Sequence, residues 1–592
     1  MQRIFVILFL LMGWAGYSQS EALAKNYLDK GDFQKALPIY QELHQKSPHR
    51  HDYFVSYIFC LQQLEQLDES EALLLDKVRQ AHFNKSLYVE LGRNYLLKKD
   101  PTQADMHFQQ AVETLRENPK TGYSMAAYFE KYNLLDWAVT CLELSMSLDP
   151  SLDYSSSLAR IYGEQGNFEK MMNAYLDMVE KNPGYLVTVQ RNLSRFVTDD
   201  SENEPNQILR KVLLTRNQNN PQPYYNMLLS WLFVQQRQYD RAFVQEKALY
   251  RLLGEGTDQI IDIAMMAFHD KEYGTAKEML QFVFENSPSD PIKLKATQYI
   301  LNINAETASP KEYAAVEKQY TDLINSYDNT VQLFDIQLDY NHFLAFKSGK
   351  KDLAVSNLKA LSQNKLSKLQ EAKVLMELAD ILVFEEKFNE ALIYYSQIQN
   401  KVKNDPLAQE ARFKVARTSF FKADFEWAQT QLDVLKKSTS QLIANDAMEL
   451  SLLISDNSYD EASKNSLKEY ASAELFHLQN KPQEAIAILN EILEQYSGQP
   501  IEDEALYLQA KIFEKLGEYQ KAAANYQNII QNHSDDILID NALFFLAELY
   551  NKILNQPENS KPYYEQIIFN HQDSIYFVEA RKQYRTLRGD TL

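Results

Sequence analysis

Gly31-Asp32-Phe33-Gln34-Lys35-Ala36, followed by Tyr40 and closed by Pro48, recurs in this chain. It returns as Gly166-Asn167-Phe168 with Met171, Tyr175 and Pro183, and as Gly517-Glu518-Tyr519-Gln520-Lys521-Ala522 with Tyr526. The order is constant: a turn residue, an aromatic two positions on, an anchor three later, and a second aromatic four beyond that. Walking outward, the anchors are Ala36, Ala72, Ala104, Ala138, Met171, Ala242, Ala276, Ala354, Ala391, Ala428, Ala485 and Ala522. Most intervals lie near 34 residues. Two long intervals each fit a double unit with a degenerate anchor, near Pro205 and near Ala314. The interval from Ala428 to Ala485 is no multiple and marks an insertion. Tyr526-Gln527-Asn528-Ile529-Ile530-Gln531-Asn532-His533 recurs as Tyr564-Glu565-Gln566-Ile567-Ile568-Phe569-Asn570-His571.

The units read as helices. Between Glu502 and Leu516, apolar residues at 505, 506, 508, 510, 512, 513 and 516 follow a helical rather than alternating pattern. Gly31, Gly166 and Gly517 permit positive φ after the first helix of a unit. Pro48, Pro150, Pro183 and Pro288 end the second. Gly92 and Ala126 allow two helices a close approach. One hairpin cannot bury its apolar face alone, whereas stacked hairpins can.

This array resembles the tetratricopeptide repeat, a helix–turn–helix unit. Tyr88, Leu91, Gly92, Tyr95, Ala104, Phe108 and Ala111 fall where the family pattern has aromatic, Leu, Gly, Tyr, Ala, aromatic and Ala. The resemblance implies an all-α, right-handed α-solenoid of about fourteen to fifteen units, with the first helix of each lining a concave face. Glu504-Ala505-Leu506-Tyr507 through Tyr519 and Ala522 resembles repeats of outer-membrane assembly and periplasmic division-coordinating members. That likeness implies an organising role in the cell envelope.

Composition agrees. Only 15 glycines and 17 prolines in 592 residues argue against sandwiches and propellers. Acidic residues outnumber basic ones 81 to 61, and the resulting charge of −20 disfavours nucleic acid as a partner. Arg3, the apolar run Ile4 to Met12, and small residues before Gln19 read as a cleaved secretory signal at 1–18. The apolar stretch is too short to span a bilayer. The mature chain is therefore expected in a periplasm, with any outer-membrane association made through a partner. The expected divisions are 19–200 and 201–437 as repeat arrays, 438–466 as an irregular insertion or hinge, and 467–592 as a terminal block.

Chemistry is sparse. No nucleotide, zinc-protease or nucleophile-elbow pattern occurs, and no cofactor, metal or catalytic residue is expected. His44, His49 and His51 read as a solvated linker. Cys60 and Cys141 read as small, unpaired core residues. In the repeat register, the concave positions include Tyr224, Met227 and Trp231, then Met376, Val383 and Phe384, then Phe413, Phe420 and Phe421. They either form an apolar stripe for an extended peptide or a partner helix, or they pack between neighbouring units. Arg93, Arg160 and Arg417 share one concave position, where the surplus of acid favours pairing within the chain. The expected function is a non-catalytic scaffold binding proteins or extended peptides of the envelope; the alternative is a chaperone-like or regulatory subunit of a secretion machine.

Overall fold

A computed structural model describes residues 20–80, 83–327, 332–437 and 441–589. The secretory signal expected at 1–18 lies outside them. The described residues form helices joined by short turns, with no strand among them. This is the expected all-α solenoid. The chain divides into two compact units, Met1–Gly256 and Thr257–Leu592.

In the first unit, helices pair in sequence, as in Leu87–Leu97 with Pro101–Glu113 and Ser155–Glu164 with Phe168–Lys181. The degenerate unit expected near Pro205 has a short first helix, Leu186–Leu193. Its second helix, Glu204–Asn219, packs mainly on Phe168–Lys181 and Pro223–Gln235. The second unit repeats the scheme, for example in Lys368–Phe384 with Phe388–Lys401 and Ile501–Leu516 with Tyr519–Asn532. The pair expected near Ala314 is Asp290–Thr307 with Tyr313–Asn325, and it buries Val316 and Tyr320 at the anchor positions.

The turn inside each pair explains the period. Gly31, Glu65, Lys99, Asn133 and Gly166 all have positive φ, at intervals of 34, 34, 34 and 33 residues. The N–H of Lys99 donates to Leu96 O at 3.0 Å, and that of Asp100 reaches back to Tyr95 O at 2.9 Å. This satisfies the last carbonyls of the first helix. A fully buried anchor follows five residues after each such turn. In the second unit of the array that anchor is Ser70, fully buried, and not Ala72, which is exposed. Composition favoured the alanine; the turn geometry places the serine inward. With that correction the first five anchors keep the spacing of the turns. Gly92 must lack a side chain, since a Cβ there would stand 2.3 Å from Cε1 of Phe108.

The stretch 438–466, expected to be irregular, instead contains the helix Gln441–Asp456 and the start of Glu461–Leu478. Gln441–Asp456 lies against Phe425–Leu435 and Pro406–Phe421 and buries Ala447 and Ile454. One extra helix therefore accounts for the odd interval. The polar Ser and Asn content suggested a loop, but it serves a helix with one buried face: Ser451 is buried and meets Gln429. Cys60 and Cys141 are buried, free thiols on separate helices, and burial pushes them up to about 11 and about 12.

Candidate functional site

Three successive first helices of the second unit, Phe334–Phe346, Lys368–Phe384 and Pro406–Phe421, lie side by side and carry a groove. Residues three or four apart share a helix face, so each helix supplies a row. The first row is Asp335, Asp339, His342 and Phe346; the second is Lys373, Met376, Glu377, Asp380 and Phe384. The third is Leu407, Glu410, Lys414, Arg417 and Phe421. The polar stretch encloses about 990 Å³ and is continued by an apolar stretch of about 320 Å³. His342, Asp380 and Lys414 line both.

The polar stretch is laced by ion pairs. Lys414 Nζ donates to Asp380 Oδ2 at 2.6 Å, and Tyr395 donates its hydroxyl to Asp380 Oδ1 at 2.5 Å. Lys373 pairs with Asp335 at 3.1 Å, and His342 Nδ1 lies 3.0 Å from Glu377 Oε1. Burial opposes charge on His342, but the hydrogen bond and charge of Glu377, with Asp380 and Asp339 nearby, outweigh it and raise the imidazole above its usual value. Asp339 accepts from Gln298 at 2.7 Å and Asn302 at 3.0 Å, yet burial still holds its carboxyl above the ordinary range. Five carboxylates therefore face three lysines and one histidine in the polar stretch.

The apolar stretch is walled by Phe346, Val383, Phe384 and Phe421. Phe346 and Phe384 meet edge to face with centroids 5.2 Å apart. Leu478 closes it from the helix Glu461–Leu478. That helix end is tied down where Gln479 Nε2 donates to Phe384 O at 3.0 Å and Glu386 Oε1 at 3.1 Å.

The expected site residues separate on this geometry. Val383, Phe384, Arg417 and Phe421 line the apolar stretch, and Met376 lines the polar one. Met376, Val383 and Phe421 are nevertheless buried and pack in the core between neighbouring pairs, so of the expected apolar stripe on these two helices only Phe384 and Phe413 are more than marginally exposed. Phe413 sits in a neighbouring hollow with Arg417, Glu449 and Lys511. Phe420 is fully buried, with Phe421 and Phe425 against it, and belongs to the core. Consecutive residues on a helix point about 100° apart, so Phe420 and Phe421 cannot share one face. Tyr224, Met227 and Trp231 lie half-buried along the helix Pro223–Gln235 of the first unit. All three shared arginines pair within the chain. Arg417 meets Glu474 at 2.8 Å and Arg160 meets Glu164 at 2.7 Å, while Arg93 bonds Gln62 and stacks over Tyr132 at 4.3 Å.

Sequence reasoning missed Asp339, His342, Phe346 and Lys414. Their three- and four-residue spacing on first helices was a readable signal. Leu478 carried none, because it reaches the groove from two pairs further along the chain. Among the described residues, no cluster of three or more His, Cys, Asp or Glu is placed to hold a metal ion, and no helix is long and apolar enough to cross a membrane.

The solved structures to which the chain is similar include two helical assemblies. One, titled as Naa15/Naa10 bound to HypK-THB, is 11% identical with a TM-score of 0.29, over 97% of this chain and 94% of that one. The other, the APC/C hetero-tetramer Cut9-Hcn1, is 13% identical with a TM-score of 0.25, over 96% of each chain. No curated protein matches the chain. Residues 470–537, spanning the end of Glu461–Leu478 through Tyr519–Asn532, match the family model of the tetratricopeptide repeat.

Proposed function

We propose that the chain is a non-catalytic protein-binding scaffold that holds an extended segment of a partner in the groove of its second unit. The observation that carries this reading is the graded lining: one continuous groove runs from paired charges at Asp335, Glu377 and Asp380 to the aromatic wall of Phe346, Phe384 and Phe421. Such a groove fits a peptide that presents polar groups at one end and an apolar side chain at the other. The repeat match at 470–537 supports the same reading.

We place the scaffold in the cell envelope, exported through the segment 1–18. The support is the charged, apolar and small-residue order of that segment and the likeness of the terminal block to periplasmic repeat proteins. Fractionation of the native cells, with N-terminal sequencing of the mature chain, tests the location. A periplasmic chain beginning at Gln19 is expected; a cytoplasmic chain that retains Met1 overturns it. For the groove, a crosslinkable residue placed at Phe384 should capture one partner at fixed stoichiometry. Lys414→Glu, which reverses charge where the two stretches meet, should abolish capture without lowering helicity. Capture that is indifferent to Lys414 removes the groove from the function.

A further inference from the structure

On the opposite side of the same hairpins lies a second groove, of about 680 Å³, among the helices Phe388–Lys401, Pro406–Phe421 and Phe425–Leu435. Its lining has the reverse electrostatics of the first. Lys403, Arg412 and Lys437 line it, and no carboxylate does, in a chain whose net charge is −20. None of the three cations forms an ion pair among the described residues. Arg412 instead gives its Nε–H to the neutral Oε1 of Gln399 at 3.0 Å. In the same hairpins Lys401 and Lys414 are each matched to a carboxylate, Glu371 and Asp380.

The groove also carries apolar surface that the fold does not need. Trp427 is 49% exposed and Val434 53%, and both line it. They sit seven residues apart on one helix face, about 10 Å along the axis at 1.5 Å per residue. An extended chain in the polyproline conformation brings the same face round every third residue, after about 9 Å. Amide side chains from Gln399, Asn400 and Gln431 also line the groove and can bond a peptide backbone.

We infer that this outer groove is a second docking site, for an acidic extended peptide of another protein with apolar residues three apart. Its side chains would seat on Trp427 and Val434, and its carboxylates would neutralise Lys403, Arg412 and Lys437. Charge complementarity selects the occupant. The field of the three cations is screened beyond about 8 Å and so acts locally, whereas a long polyanion such as RNA would also meet the acidic remainder of the chain. The site is independent of the groove assigned above, because the two use opposite faces of Pro406–Phe421, with Arg412 on one and Lys414 and Arg417 on the other.

The test is fluorescence anisotropy with the full chain and a short fluorescein-labelled peptide bearing Leu at every third position and Glu elsewhere. Saturable binding that weakens with added salt is expected, and the same peptide with Lys for Glu should not bind. Trp427→Ala and Lys403→Glu should each weaken binding at least about tenfold. Lys414→Glu, on the other groove, should leave it unchanged. Because Lys403 is exposed, Lys403→Glu should melt with the parent by circular dichroism, so lost binding is not lost folding. Absence of saturable binding, equal binding of the Lys peptide, or loss confined to Lys414→Glu would overturn the proposal. So would concentration-dependent self-association that Lys403→Glu abolishes, since the occupant would then be a second copy of this chain.

Discussion

At the scale of single residues, two adjacent aromatics of one core differ in whether they also reach the groove. Phe420 is fully enclosed and Phe421 edges the groove. Phe420→Ala should cost about 3–5 kcal/mol, as for other buried aromatic truncations, and lower the melting temperature. Phe384→Ser, at the half-buried wall, should cost markedly less and act on partner capture. If the two variants melt alike, this division of roles fails. A second residue-scale test concerns Glu504 and Asp503 at the start of Ile501–Leu516. Burial and the neighbouring carboxyl hold Glu504 well above the usual range, Asn457 donates to its Oε1 at 3.3 Å, and its Oε2 meets no donor. The pair therefore keeps a proton in the folded state. A carboxyl with a raised folded-state value favours folding at low pH, and that favour is lost as pH climbs above its unfolded value. Glu504→Gln should consequently be more stable than the parent, by a margin that widens between pH 5 and pH 8 in chemical denaturation. His342 has the opposite ordinary form: its raised value stabilises the pair with Glu377 below the usual imidazole midpoint, and the gain disappears as pH rises through the folded value. An NMR titration of its ring should show a midpoint above 6.5.

At the scale of the element, the turn inside each hairpin sets the period more strictly than any side chain does. Glu65, Lys99, Glu386 and Ala423 adopt the left-handed conformation although none is glycine. An L-residue there costs about 1–2 kcal/mol, and glycine recovers most of it while adding chain entropy to the unfolded state. Ala423→Gly should therefore raise stability by about 0.5–1 kcal/mol, and Gly517→Ala should lower it by about as much, both read from urea midpoints. The same turns show what the sequence made legible. Glycine announced them at 31, 166 and 517, and the prolines announced the ends of second helices. Where Glu65 took the glycine's place the announcement was gone, and the anchor was misread at Ala72 instead of Ser70. The helix Gln441–Asp456 was hidden for a different reason. Its polar residues met loop statistics, while the burial that makes it a helix depends on Phe425–Leu435 and Pro406–Phe421 beside it. The groove was half legible, because row spacing is local and closure by Leu478 is not.

At the scale of the whole molecule, two compact units of stacked hairpins should not unfold as one. Each pair contacts chiefly its sequence neighbours, so cooperativity decays along the array. Calorimetry should give a measured enthalpy larger than the van't Hoff value; equality of the two would show a single cooperative block. The two thiols give this expectation an unusually direct readout. Cys60 and Cys141 both belong to the first unit, and the second has no thiol at all. Held protonated and shut away from solvent, they are inert until their surroundings open. A maleimide dye would thus tag the protein only when the amino-terminal half breathes, so the native chain comes equipped with its own half-specific clock for conformational opening.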